Sequence, residues 1–146
     1  MATVIKGMKL GMKLAAPNVF ERPFYPLAVL TVNTGDTVRM TMTLENNTES
    51  AAGKDLLAAY GSYDASTGTF TMSFAGVKRA VSIPTGSSSQ DVDCVASVVG
   101  TDFDAFAAVG IYNETDGTFT IESDLVKTDQ LTVTGIAVTD FTLSKV

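Results

Sequence analysis

Acidic side chains gather at four places: Asp91 and Asp93, Asp102 and Asp104, Glu114 and Asp116 beside Asn113, and Glu122 and Asp124. Oxygen-rich clusters of this kind suit two chemistries. One is Ca²⁺ binding, which takes roughly six to eight oxygen ligands. The other is glycoside hydrolysis by paired carboxylates. Neither pattern is complete. No cluster has EF-hand spacing, and the chain has no Trp to line a sugar cleft. A solvated acidic surface is the simpler expectation. The chain also has no His, which removes Ser-His-Asp and Cys-His nucleophile systems and ordinary zinc sites. No catalytic residue, metal ligand or cofactor is assigned, and the protein is expected not to be an enzyme.

Other candidates reduce to local chemistry in the same way. The segments Asp64–Gly68 and Asn113–Gly117 would be paired binding loops, yet Asp, Asn, Ser, Thr and Gly are also what a hairpin turn requires. Asn46-Asn47-Thr48 and Asn113-Glu114-Thr115 match the glycosylation sequon, which is common by chance. Tyr60, Tyr63 and Tyr112 would form an aromatic face, but packing at strand ends with wet hydroxyls is expected instead. The single Cys94 excludes an internal disulfide, and its alternation with Val92, Ala96 and Val98 marks it as a small core residue.

The elements that position these residues are duplicated. Residues 55–86 and 104–135 align without a gap at an offset of 49, from Tyr63 on Tyr112 to Gly86 on Gly135. Each copy reads as strand, tight turn, strand, strand and a Thr-Gly turn. Expected strands are 27–32, 37–44, 55–63, 69–74, 77–83, 91–99, 104–112, 118–123, 130–134 and about 136–144. Phe70, Met72 and Phe74 share one face of theirs, and Phe141 and Leu143 one face of the last. Thr-Gly recurs at 34–35, 85–86 and 134–135. No segment has helical periodicity. The chain is therefore expected to be all-β, an antiparallel sandwich of about ten short strands, immunoglobulin-like or jelly-roll, over residues 27–146.

Residues 1–26 stand apart. Lys6, Lys9, Lys13 and Arg22 against Glu21 give a net +3, while the whole chain carries −6, so the remainder carries −9. Within this arm Met8, Leu10, Met12 and Leu14 alternate with Gly7, Lys9, Gly11 and Lys13, a strand with one apolar face. Pro17, Pro23 and Pro26 make the rest an extended connector. The lysines interrupt any signal-peptide core, and no apolar run is long enough for a membrane helix. Nucleic acid is a poor partner for an acidic body. Lys6, Met8, Lys9, Leu10, Met12, Lys13 and Leu14 are the residues expected to bind a partner. They would do so by adding a strand to an acidic neighbour; the alternative is that the segment is an ordinary edge strand of the chain's own sandwich.

The stretch Gly35-Asp36-Thr37-Val38-Arg39-Met40-Thr41-Met42-Thr43-Leu44-Glu45-Asn46-Asn47 resembles the second strand of immunoglobulin-like adhesion modules of the CARDB-like group. Val81-Ser82-Ile83-Pro84-Thr85-Gly86 resembles a turn of the same group. The resemblance spans about residues 27–112; the basic arm and the strands after 112 depart from it. It implies a β-sandwich with no shared catalytic residues, found in secreted, cell-surface and tailed-phage virion proteins. The expected function is that of a virion decoration or cement protein, made in the host cytoplasm and working on the virion surface. It would bind a capsid or other structural protein and form a homo-oligomer such as a trimer, without membrane or nucleic acid. The alternative is an extracellular carbohydrate- or ligand-binding module.

Overall fold

A strand buried on both faces needs apolar residues in unbroken succession rather than in alternation. Leu56-Leu57-Ala58-Ala59-Tyr60 is such a run, and all five side chains are buried. They form the centre of a sheet whose neighbours follow from the duplication. A computed structural model describes residues 29–146 together with the backbone of Thr3–Lys6 and Lys13–Leu14.

The strands in chain order are β1 (Thr3–Lys6), β2 (Lys13–Leu14), β3 (Leu30–Asn33), β4 (Thr37–Asn46), β5 (Ala52–Asp64), β6 (Thr69–Ile83), β7 (Gly86–Val95), β8 (Gly100–Asn113) and β9 (Thr118–Thr134). They form a seven-stranded sheet of order β2-β1-β6-β5-β8-β9-β3 and a two-stranded ribbon, β4-β7. The protein is all-β, and the described residues contain no helix. Two expectations need correction. The described residues of the body hold seven strands, β3–β9, rather than about ten, and the large sheet is mixed, because β1–β6 and β3–β9 pair in parallel.

The strand count falls because the strands expected at 69–74 and 77–83 are one strand, as are those at 118–123 and 130–134. Residues 136–144, expected as a last strand, have no regular structure. The strand expected at 91–99 ends at Val95, and Val98 is 38 % exposed. The expectation that the tyrosines pack at strand ends with wet hydroxyls fails in two ways: Tyr60 lies inside β5 with its ring stacked on Phe74 at 5.0 Å, and the Tyr63 hydroxyl is buried.

The two copies meet at β5 and β8. Their antiparallel register runs from Asp55↔Gly110 to Gly61↔Asp104, with Ala58 opposite Ala107. Shifting each residue by 49 exchanges Asp55↔Gly110 with Asp104↔Gly61 and maps Ala58↔Ala107 onto itself. A local two-fold axis therefore passes through the alanine pair. The hairpins β5–β6 and β8–β9 are related as two subunits of an isologous dimer would be.

Each hairpin breaks its ladder at equivalent places. Register shifts fall at Lys54/Leu56 and Tyr60/Gly61 in the first copy, and at Phe103/Ala105 and Val109/Gly110 in the second. At the second break Ser73 is the extra residue, because Tyr60 pairs with Phe74 and Gly61 with Met72. A bulge reverses which face later side chains occupy. Phe74 consequently joins one core, while Phe70 and Met72 join the other, contrary to the single face that alternation implied.

The first core lies between the ribbon and the sheet, where Val38, Met42, Val92 and Cys94 meet Leu56, Phe74, Leu131 and Val133. The second lies on the opposite face. Phe70 and Phe119, beyond the bulges, pack there with Leu57, Ala59, Phe106 and Ala108 before them, and the Phe70 and Phe106 rings lie 5.3 Å apart. The bent hairpin ends thus help to cover that face.

Candidate functional site

Only Asp55 and Asp104 are buried acidic residues among those described, and they occupy equivalent positions in the two copies. Each sits where its ladder breaks, unpaired with the other strand of its own hairpin. Both oxygens of each carboxylate are engaged. Asp55 accepts the Ala80 N–H at 2.8 Å and, from the other copy, the Tyr112 N–H at 2.7 Å. Asp104 accepts the Asp129 N–H at 3.0 Å and, from the other copy, the Tyr63 N–H at 2.8 Å. Ala80 and Asp129 are likewise equivalent, and both have left-handed backbones, with φ of 53° and 55°. Each carboxylate therefore pins a strained residue of its own hairpin and clasps the neighbouring hairpin.

Burial by itself would raise the Asp55 carboxyl pKa. The N–H groups of Ala80 and Tyr112 and the Arg79 guanidinium outweigh it and hold Asp55 below the ordinary carboxylate range. Arg79 lies 3.4 Å from Asp55, pairs with Glu114, and stands over the Tyr112 ring at 5.1 Å. Its equivalent in the other copy is Thr128, so this tie is made once.

The clasps do not form a catalytic pair. Six residues of ladder separate the Asp55↔Gly110 and Gly61↔Asp104 pairs, which at strand spacing puts the two carboxylates about 20 Å apart. Glycosidase carboxylates stand roughly 5–9.5 Å apart. Asp104, grouped in the sequence with Asp102 as surface, is a structural residue. Asp55 was missed there. The signal was available: each copy opens its apolar run with Asp, in Asp55-Leu56-Leu57 and Asp104-Ala105-Phe106.

The other candidates resolve as local structure. In the first turn Asp64 accepts the Ser66 N–H and hydroxyl, and in the second Asn113 accepts the Thr115 N–H. Gly68 and Gly117 supply the left-handed residue of each, at φ of 66° and 68°. Asp91 and Asp93 face Arg39 on the outer side of the ribbon, with Arg39 Nε 2.8 Å from Asp93. Glu122 pairs with Lys54. No group of three or more Cys, Asp or Glu able to hold a metal occurs among the described residues. The Asn46 amide donates to the Ile83 and Ser50 carbonyls, so that sequon's nitrogen is engaged in the fold. The Cys94 thiol is buried, and burial pushes its pKa up to about 11.

Of the arm residues expected to bind a partner, Lys6 lies in β1 and Lys13 and Leu14 in β2; Met8, Lys9, Leu10 and Met12 lie outside the described residues. The backbone of β1 pairs with the body's own β6, through Ile5↔Phe70 and Lys6↔Thr71.

Two features are unspent. Residues 136–146 carry Ile136, Val138, Phe141 and Leu143 in the open; Ile136 is 100 % and Leu143 89 % exposed. Burying each such side chain would contribute roughly 1.5–3 kcal/mol. Beside the ribbon, a groove of about 390 Å³ runs between β4 and the β8–β9 half of the sheet. Five successive residues, Met40 to Leu44, line it. Side chains of both parities at one wall mean that the groove follows the strand's edge. Among the described residues β4 pairs only with β7, along one of its two edges. No protein-family model, curated protein or solved structure matches this chain.

Proposed function

We propose that this chain is a non-catalytic structural protein of a virion surface, a decoration or cement protein with a two-layer, immunoglobulin-like β-sandwich. The observation that carries the reading is the run of apolar side chains at 136–146, held in the open beside a body whose own cores are filled. Large apolar side chains left bare along one segment serve association with another protein. The two buried carboxylates, spent on backbone N–H groups and far apart, support a role without catalysis. The basic residues Lys6, Lys9 and Lys13 provide a second contact, toward an acidic neighbour.

Co-sedimentation tests this. The purified protein is mixed with shells assembled from the major capsid protein encoded nearest to it. Saturable binding at a fixed ratio of copies per shell is expected. A locus without capsid genes, or shells that pellet without the protein, would overturn the reading.

A further inference from the structure

The offset of 49 carries past Gly135. It sets residues 135–144 on β7, with Asp140 on Asp91, Phe141 on Val92 and Leu143 on Cys94. In the first copy the apolar pair belongs to the core, Val92 being 1 % and Cys94 7 % exposed. In the second copy the pair is bare, with Phe141 75 % and Leu143 89 % exposed. The seat of β7 has a counterpart too. β7 lies over the first hairpin, where Gly76 abuts the Asp93 carbonyl and Cys94, and Lys78 Nζ donates to Gln90 Oε1 at 3.3 Å. There Val92 and Cys94 join Leu56, Ala58, Tyr60 and Phe74 in one core. The two-fold axis between Ala58 and Ala107 relates antiparallel neighbours, so it stands perpendicular to the sheet and keeps each face. It carries the seat onto the second hairpin, at Ala105, Ala107, Val109 and Ser123. All four line the groove beside β4. Their first-copy counterparts are buried, whereas Ala105, Ala107 and Val109 are half-buried and Ser123 is exposed.

Side chains on the two sides of this seat change in compensating directions. Leu56 is matched by Ala105, Tyr60 by Val109 and Phe74 by Ser123, so the second wall is cut back. Val92 is matched by Phe141 and Cys94 by Leu143, so the segment facing it is built up. Close packing favours exchanges of this kind, which keep the total volume. Leu125 stands where the first copy has Gly76, whose Cβ would lie 3.0 Å from that of Cys94. It holds a second strand further from β9, a gap that the longer Phe141 and Leu143 span.

We propose that residues 135–144 are a strap that closes on this groove within the same chain, Phe141 and Leu143 taking on the second hairpin the places that Val92 and Cys94 take on the first. The chain's own segment is the occupant because β7 seats on its own copy directly after its Thr-Gly, and the axis carries that path onto residues 135–144. The hinge is Gly135. Gly86 turns β7 back with a φ of 82°, whereas Gly135 forms a bend without a positive φ. A glycine adopts either conformation at no steric cost. The structure holds the strap open, so closure is a second state of the free chain. Closure covers the apolar side chains that serve association, and as an off-state for that contact it rests on the assembly reading above.

Disulfide trapping tests the strap. In Leu125→Cys/Leu143→Cys the two cysteines are the counterparts of Gly76 and Cys94, and Cys94 itself is buried and does not compete. Mild oxidation of the dilute protein is expected to give a disulfide within single chains. It should form far faster than when Val138→Cys or Val146→Cys replaces Leu143→Cys. Adding Ser123→Phe, which returns the bulk of Phe74 to the groove, should slow it about tenfold. Equal rates at the three positions, no effect of Ser123→Phe, or crosslinks only between chains would overturn the proposal. Shell binding is read on the same samples. The oxidised protein is expected to lose the binding that its reduced form shows, and equal binding by the two forms would overturn the off-state. A chain that traps in this register but never binds shells, reduced or oxidised, defeats the virion reading and leaves the strap standing; one that binds shells but traps at no position does the reverse.

Discussion

Asp55 shows how a single side chain can serve two hairpins. Its carboxylate takes one backbone N–H from each copy, and both donors would otherwise be left without a partner. Asp55→Ala should therefore destabilise the protein by about 3 kcal/mol, measured as a shift in the denaturant midpoint at constant slope. Asp104→Ala should behave alike, since its two bonds are equivalent. The direction of the Asp55 shift gives a pH dependence with a definite sign. Its folded pKa lies below the unfolded value, which is about 3.9. The stability it contributes is complete above that unfolded value and is lost as pH falls through the folded one. Melting temperature should decline on acidification below about pH 4, and Asp55→Asn should lose this part of the decline. An unchanged acid limb in Asp55→Asn would show that other carboxyls govern it.

At the scale of elements, the bulges decide the architecture. They merge four expected strands into two long ones and move apolar side chains from one core to the other. Gly61 and Gly110 make the equivalent second bulges possible. A Cβ at Gly61 would stand 1.9 Å from the Thr71 carbonyl oxygen, and one at Gly110 would stand 1.9 Å from that of Thr120. These are backbone atoms and have little freedom to yield. Gly61→Ala and Gly110→Ala should each destabilise by about 3 kcal/mol or more, seen in equilibrium unfolding. Gly53, with nothing near its Cβ position, is the control: Gly53→Ala should change stability by less than about 1 kcal/mol. The turns were legible in the sequence because their chemistry is local. The bulges were not, because an extra residue shows only against the strand opposite.

The whole molecule is a pair of hairpins joined about a two-fold axis, with a ribbon over one face and an exposed segment leaving one end. The exposed segment adds little to the body's own burial, so removing residues 137–146 should leave the melting temperature of the monomeric body unchanged. A marked fall would mean that the segment packs on its own sheet. The sequence by itself determined the all-β class, the hairpin turns, the alternating strand β4 and the duplication, because periodicity, turn residues and self-similarity are written along the chain. It also showed that no His-dependent chemistry is available. Only the tertiary structure decided that the two copies pair about Ala58 and Ala107, that Asp55 and Asp104 are buried clasps and not surface charges, and that residues 136–146 stay outside the sheet. Each of these depends on which strand lies beside which. A carboxylate near a chain break can be solvated or buried with the same neighbours in sequence; the N–H groups that hold Asp55, from Ala80 and Tyr112, lie 25 and 57 residues away.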